Sequence, residues 1–359
     1  MINKQLMSGN SAIGEAAIQA GCKFYFGYPI TPQNELPEYM SARLAEEKGA
    51  AFLQAESEVG AINMVIGASS VGARVMTSSS SPGISLKQEG ISYLAGQELP
   101  AVIINVVRGG PGLGSIYSAQ SDYFQSTRGG GHGDYRTIVL APASVQELAD
   151  MTALAFDLAD TYRTPVIVSA DGVLGQMMEP VRIPSKKGRK KVTKDYALTG
   201  AKGRPSKAIH SFRMDPKDQE DHNWKLMRKY KRIEQREVRY ETFLLDDAEM
   251  AVVAYGTAAR IARGAINRLR KENLKVGLIR PKTLWPFPAE IIRETAQQLH
   301  DFFVFEMSAG QMIDDVKLSL DGSGTIHFYG RPGGVIPSPV ELYRIISRHY
   351  YQSQRKRGK

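Results

Sequence analysis

The chain has 359 residues, of which 42% are hydrophobic and 23% charged. That is a globular composition, and it is long enough for two domains, since single cores stop growing near about 250 to 300 residues. No apolar run reaches the roughly 18 to 20 residues a membrane span needs and no signal-peptide core is present, so the expected setting is the cytoplasm; the single cysteine, Cys22, excludes a disulfide framework and a four-ligand iron–sulfur cluster held by this chain alone, and the six histidines have no zinc spacing, so no metal site is expected. The formal charge of +9 is concentrated in Lys186–Lys194 and the tail Arg355–Lys359, runs that read as a solvated linker and face, with no aromatic interleaving or reading helix to indicate nucleic acid.

The first 180 residues alternate helix and strand signals. A small-residue helix is predicted over 9–21, a short aromatic strand over Phe24–Tyr28, and a narrow Ala/Ile/Val/Gly helix over Glu58–Ser70. Arg74–Thr77, Ala101–Val107, Thr137–Ala141 and Pro165–Ser169 are continuously hydrophobic, as buried parallel strands are. Helices are predicted over 84–96 and 144–160, the second opening with Ser144 and Glu147 as a capping box. The pattern is that of an α/β protein with a parallel sheet.

From about Arg182 to Asp246 strand signals vanish, and a basic loop followed by one exposed or bridging helix over His222–Phe243 is expected. The alternation then restarts in a smaller domain: strand Met250–Ala254, helix Thr257–Lys271, strand Lys275–Ile279, helix 288–299 and strand Phe302–Glu306.

Three loops follow predicted strands of the first sheet, where open α/β sheets bind ligands. In Gly27–Pro32 (GYPITP) two prolines bracket Ile30 and Thr31, which reads either as a turn leaving the sheet or as a stiff loop presenting the threonine hydroxyl. Thr77–Gly83 (TSSSSPG) is a row of small donors, Ser80 and Ser81 among them, that lets a ligand ring approach the backbone. In Arg108–Gly114 (RGGPGLG) an arginine stands beside glycines that leave its guanidinium uncrowded and free for a bidentate carboxylate contact. None of the glycines makes a nucleotide-binding loop, and Gly129–Gly133 reads as a flexible or close-approach loop. Of the two acids in Gln54–Gly60 (QAESEVG), Glu56 is a dipole partner for the helix that follows. Glu58 opens a helix with little polar surface and is the candidate proton-sharing carboxylate.

GYPITP, QAESEVGA, TSSSSPGISL, NVVRGGPGLG and GHGDYR, in that order, closely resemble the α-type subunit of the 2-oxoacid:ferredoxin oxidoreductases. The likeness runs from about residue 6 to 180 and more weakly through Tyr255–Ala258, RPKTLWPF (280–287) and EMSAGQM (306–312). Within the family it favours the 3-methyl-2-oxobutanoate (2-ketoisovalerate) enzymes, with the 2-oxoglutarate enzymes next. The resemblance implies a pyrimidine-type thiamine diphosphate domain over residues 1–182, a basic linker with one helix over 183–245, and a transketolase C-terminal-like domain over 246–359. It implies a thiamine diphosphate site shared with a partner subunit, with Glu58 bonding the pyrimidine ring nitrogen, Thr31 at the substrate's carboxylate or carbonyl end, Arg108 pairing with the substrate carboxylate, and Pro29, Ile30, Ser80 and Ser81 beside the cofactor.

The family's G-D-G motif with downstream asparagine is not matched at Ala170–Gly172. The resemblance therefore places the diphosphate, its magnesium ion and a 4Fe–4S cluster on a β-type subunit. It further implies coenzyme A as cosubstrate, ferredoxin as acceptor, γ-type and ferredoxin-like subunits in some members, and a dimer of heteromers. Arg260 and Arg280 are candidates to meet coenzyme A phosphates, against dimer packing as the alternative. A non-catalytic scaffold keeping the thiamine fold is the rival from another class.

Overall fold

A computed structural model describes residues 4–184 and 192–357. The chain begins β1 (Gln5–Ser8), α1 (Gly9–Gln19), β2 (Phe24–Gly27), α2 (Glu35–Leu44), β3 (Ala51–Gln54), α3 (Glu58–Ser70), β4 (Val75–Ser79), α4 (Ser81–Gly96) and β5 (Ala101–Val107). It continues α5 (Tyr123–Thr127), β6 (Ile138–Leu140), α6 (Val145–Tyr162), β7 (Pro165–Asp171), α7 (Gly172–Gln176) and β8 (Met178–Val181). The local chemistry sets the helix starts: the hydroxyls of Ser8, Ser57 and Ser144 accept from the backbone N–H groups of Ser11, Gly60 and Glu147, satisfying donors that a first turn leaves orphaned.

Six parallel strands form the larger sheet in the order β6-β7-β5-β4-β2-β3. Its central strands β4 and β5 are buried at every position, which is why they read as unbroken apolar or small-residue runs rather than alternating ones. Helix α1 packs on both α2 and α6, and α3 packs on α4. β1 and β8 form a separate antiparallel ribbon.

The remainder runs α8 (Pro216–Arg236), β9 (Tyr240–Phe243), β10 (Met250–Val253), α9 (Gly256–Lys271), β11 (Val276–Pro281), β12 (Thr283–Trp285), α10 (Ala289–Ala296), β13 (Asp301–Glu306), α11 (Met312–Leu320), β14 (Thr325–Gly330) and α12 (Pro339–Arg357). A second sheet has the order β14-β13-β10-β11-β9, parallel except for β9 at its edge.

Between the two sheets the structure departs from the sequence reading. The helix starts earlier than expected, because Asp215 caps it through the Lys217 N–H at 2.8 Å and Pro216 suits its first turn. It also stops earlier, and residues 240–243 form β9, paired antiparallel with β11. A lone short strand carries little signal until its neighbour is in place. Of the two alternatives, exposed or bridging, α8 is the bridging one: Leu226, Tyr230 and Ile233 are buried, and Lys225 and Lys229 both pair with Glu98. Of the basic run Lys186–Lys194, residues 186–191 lie outside the described residues, while Lys194 sits 2.6 Å from Asp160. β12 crosses over to add an antiparallel edge to the larger sheet beside β6.

The two sheets are also joined by charge. Arg280 on β11 is buried, donating to both Glu147 carboxylate oxygens on α6 at 2.9 and 2.7 Å and to Glu241 on β9. This corrects the expectation that Arg280 meets coenzyme A, since its fork is already filled; Arg260 is likewise 2.7 Å from Glu179. Burial pushes the Glu147 carboxyl up, but Arg280 and Lys282 outweigh it and hold it down at about 2.

Arg280→Met is expected to cost about 2 to 3 kcal/mol in denaturant unfolding at neutral pH, below the full loss for a broken buried pair because Lys282 remains beside Glu147. A depressed carboxylate stabilises above its unfolded value, so the gap to wild type closes as pH falls from about 4.5 through about 2. A constant gap across that range rules out Glu147 as the partner that matters.

Candidate functional site

Because β2, β4 and β5 are neighbours and parallel, their carboxyl ends bring the three predicted loops side by side. Arg108, the first residue after β5, ties them together. Its backbone N–H donates to the Ser81 hydroxyl at 3.0 Å, which donates in turn to the Arg108 carbonyl at 3.2 Å. Its guanidinium donates to the carbonyls of Thr31 and Leu113, each at 2.9 Å. The expectation of an uncrowded guanidinium is corrected: Arg108 is 5% exposed and two of its nitrogens are engaged. Its Nε has no partner, and no described carboxylate forms an ion pair with it. A buried cation left with only neutral acceptors is a site for an anion.

Glu58 forms the next wall. It is 6% exposed at the start of α3 and faces α4, where a Cβ built on Gly83 would lie 2.4 Å from its Oε1 and 2.0 Å from the Ser79 hydroxyl. Only a residue without a side chain lets the carboxylate and this hydroxyl approach the helix there. The hydroxyls of Ser79 and Ser80 are buried with no hydrogen-bond partner. Buried polar atoms are ordinarily satisfied, so these two donors fit a ligand with acceptors of its own. Beneath them lies a closed polar chain: the Tyr25 hydroxyl is 2.5 Å from that of Ser78, which also meets Gln33, and Lys87 donates to Thr77 and to the Ser78 carbonyl.

Of the sequence-predicted residues, Thr31, Glu58, Ser80, Ser81 and Arg108 thus converge, with Ile30 half-buried and Pro29 exposed at the rim. Ser81 differs from expectation in that its hydroxyl joins two loops. Ser79 and Lys87 were missed; the signal available for Lys87 was its spacing to Gly83, four residues earlier on the same helix face. Glu56 stays exposed. The Gly129–Gly133 loop is a close-approach loop, since a Cβ on Gly130 would meet the Gln88 side chain at 2.5 Å.

The segment after Arg108 is held by the second sheet. Gln120 donates to the Tyr255 carbonyl at 2.8 Å and accepts from the Met307 N–H at 2.9 Å, and Gln311 accepts from the Phe124 N–H at 2.8 Å. Glu306, fully buried, accepts from the N–H groups of Gln311, Met312 and Ile313 and so caps α11.

A family model described as pyruvate flavodoxin/ferredoxin oxidoreductase, thiamine diphosphate-binding, matches residues 15–242, and the pyruvate:ferredoxin oxidoreductase core domain II model matches residues 248–342. The chain is 50% identical over 344 residues to the ketoisovalerate oxidoreductase subunit VorB of Methanothermobacter thermautotrophicus, covering 96% of each. It is 37% identical over 377 residues to the 2-oxoglutarate synthase subunit KorA of Methanothermobacter marburgensis, covering 96% of this chain and 99% of that one. The 2-oxoglutarate:ferredoxin oxidoreductase of Magnetococcus marinus, solved with 2-oxoglutarate, coenzyme A and succinyl-CoA bound, superposes with a TM-score of 0.84 at 27% identity. That match spans 97% of this chain and 65% of the other.

Gly83→Ala is expected to destabilise the chain by about 1 to 3 kcal/mol, because the added methyl must displace Glu58 and Ser79. Gly67→Ala, in the same layer on α3 and facing open space, is expected to be neutral or to gain up to about 1 kcal/mol of helix propensity. Equal unfolding midpoints for the two variants contradict the close packing at Gly83.

Proposed function

The chain belongs to the 2-oxoacid:ferredoxin oxidoreductases as an α-type subunit, and on that premise we propose that it forms the pyrimidine side of a thiamine diphosphate site completed by a partner. The reaction is the oxidative decarboxylation of a 2-oxoacid with coenzyme A to an acyl-CoA and carbon dioxide, with the electrons passed to ferredoxin. The substrate ranked first is 2-ketoisovalerate, on the 50% identity to the ketoisovalerate oxidoreductase subunit; 2-oxoglutarate is the second reading, on the 37% identity to its synthase subunit. The observation that carries the proposal is the buried Arg108 guanidinium without a carboxylate, on the same floor of strand ends as Glu58 and two unsatisfied serine hydroxyls.

Thiamine diphosphate, when bound, supplies the nucleophilic carbon and the electron sink for decarboxylation. The protein's part is orientation and one shared proton. Glu58, desolvated against Gly83, shares that proton with the pyrimidine ring nitrogen, and Ser79, Ser80, Pro29 and Ile30 frame the ring. Arg108 receives the substrate carboxylate through the nitrogen that the protein leaves free, and Thr31, held by its own carbonyl to Arg108, presents its hydroxyl to the carboxylate or carbonyl end. The carboxylate leaves as carbon dioxide, so a grip that orients without over-stabilising the ground state is what the chemistry requires. Arg108 already divided between two backbone carbonyls suits that moderate grip.

A β-type subunit is assigned the diphosphate, its magnesium ion and the 4Fe–4S cluster, within a cytoplasmic dimer of heteromers that γ-type and ferredoxin-like subunits join in some members of the family. Beside Arg108, Leu113 is 81% exposed, and Ile116 and Tyr117 lie open next to Val335 and Ile336, an apolar patch of the sort that a partner covers. Residues 1–182, 183–245 and 246–359 serve on this reading as cofactor domain, linker and closing domain.

In the enzyme assembled with its partners, Glu58→Gln is expected to slow cofactor C2–H exchange about a hundredfold or more, with little change in substrate KM, because an amide bonds the ring but does not share the proton. Unchanged exchange reduces Glu58 to a helix-start acid and sinks the pyrimidine-side reading.

Arg108→Lys is expected to raise KM by a factor that corresponds to about 1 to 3 kcal/mol, since a point-charge ammonium does not reproduce the planar contact. The rise is expected to be similar for 2-ketoisovalerate, 2-oxoglutarate and pyruvate, which share the 2-oxo carboxylate. An effect confined to 2-oxoglutarate assigns Arg108 to the distal carboxylate and reverses the substrate ranking.

A further inference from the structure

Lys87 on α4 is completely buried and has no part in the mechanism above. A lysine is almost never closed off from water unless something compensates its charge. Gly83, Lys87 and Gly90 fall on one face of α4 by helical spacing. That face packs on α3: a Cβ on Gly83 would meet Glu58 at 2.4 Å, and one on Gly90 would meet Ile62 at 2.5 Å. Glu58 and Ile62 are themselves one turn apart. Lys87 therefore sits on the face of α4 that packs on α3, between these two contacts.

Its ammonium donates to the Thr77 hydroxyl at 3.0 Å and the Ser78 carbonyl at 3.3 Å. Both acceptors are neutral, and both precede Ser79, which shares the Gly83 cradle with Glu58. Glu58 on α3 is the charged group that acts on Lys87. From β4 come the Thr77 hydroxyl and the Ser78 carbonyl, and from β2 the Tyr25 phenol, held well up by burial, bonds the hydroxyl of the same Ser78. Burial pushes the Lys87 ammonium down to about 8, while the Glu58 carboxylate pulls it up.

We propose that Lys87 is a positioning residue whose buried ammonium, anchored on β4, balances the charge of Glu58 and sets on which partner the proton shared with the pyrimidine ring rests. With Lys87 charged, the carboxylate is favoured at Glu58 and the proton stays with the ring nitrogen. With Lys87 neutral, Glu58 competes for it. The inference rests on the pyrimidine-side reading of Glu58 and adds a second residue to it.

The test has two readouts. In the full-length chain labelled with carbon-13 at the lysine Cε, the Lys87 resonance, assigned by its absence in Lys87→Arg, titrates near pH 8. In Glu58→Gln its midpoint is expected to fall by about one pH unit or more, the shift an opposite charge at close range confers. In the assembled enzyme, wild-type C2–H exchange slows as pH rises through about 8, where Lys87 loses its charge. Lys87→Arg keeps the rate seen at neutral pH and abolishes that fall, and Lys87→Met is about tenfold slower throughout, the consequence of roughly one unit of lost coupling. An identical Lys87 midpoint in Glu58→Gln, or superimposable wild-type and Lys87→Arg profiles above pH 8, overturns the proposal. Neither result touches the pyrimidine-side reading, which stands or falls on the exchange rate of Glu58→Gln.

Discussion

A guanidinium shut into a protein interior must be given acceptors, and the way Arg108 obtains them organises the candidate site. It takes one carbonyl from the loop after β2 and one from its own loop after β5, while its backbone is laced to Ser81 at the start of α4. Three chain segments far apart in sequence are thereby held at fixed positions over the ends of β2, β4 and β5. The arrangement satisfies the backbone and leaves the positive charge without a carboxylate among the described residues. Rigidity and a vacancy for an anion come from the same side chain.

Around that charge the packing is governed by missing side chains. Gly83 lets Glu58 and Ser79 lie against α4, and Gly90 lets Ile62 do so about two turns further on. With α3 and α4 this close, charges held on their facing sides are weakly screened. The small-residue composition of α3 and α4 therefore lets a carboxylate lie against a neighbouring helix, next to a row of serine hydroxyls.

The second sheet contributes by holding what the first leaves loose. Gln120 exchanges three hydrogen bonds with the backbone at Tyr255 and Met307, and Gln311 reaches back to Ser121 and Phe124, so the long segment between Arg108 and α5 is pinned from the far side. Glu306 accepts from the Ser308 hydroxyl and from three N–H groups at the start of α11, which is the element that carries Asp315 to Tyr123 and Arg128. What this scaffold does not cover is the apolar loop from Leu113 to Tyr117 with its neighbours at Val335 and Ile336. An enclosed cation beside an open apolar surface is the form of half a site.

Several features were legible in the sequence because they depend on residues within a few positions of one another. The unbroken apolar run Ala101–Val107 marks a buried parallel strand without reference to anything else, and Ser57 before a period of small apolar residues marks the start of α3. Motif order was enough for the family, and the structure sets Thr31, Glu58 and Arg108 after β2, β3 and β5 of one sheet. Other features belong to the tertiary structure alone. That β9 and β12 are strands depends on β11 and β6, whose paired residues lie 35 to 146 positions away along the chain, so neither carries its own signal. That Arg280 is spent on Glu147, that Ser81 serves Arg108 while Ser79 and Ser80 go unsatisfied, and that the buried Lys87 bonds Thr77 and Ser78 were decided by which helix face meets which strand end. Periodicity says that a face is buried; the charge or hydroxyl it finds there is set by a partner that only folding brings within a few ångströms.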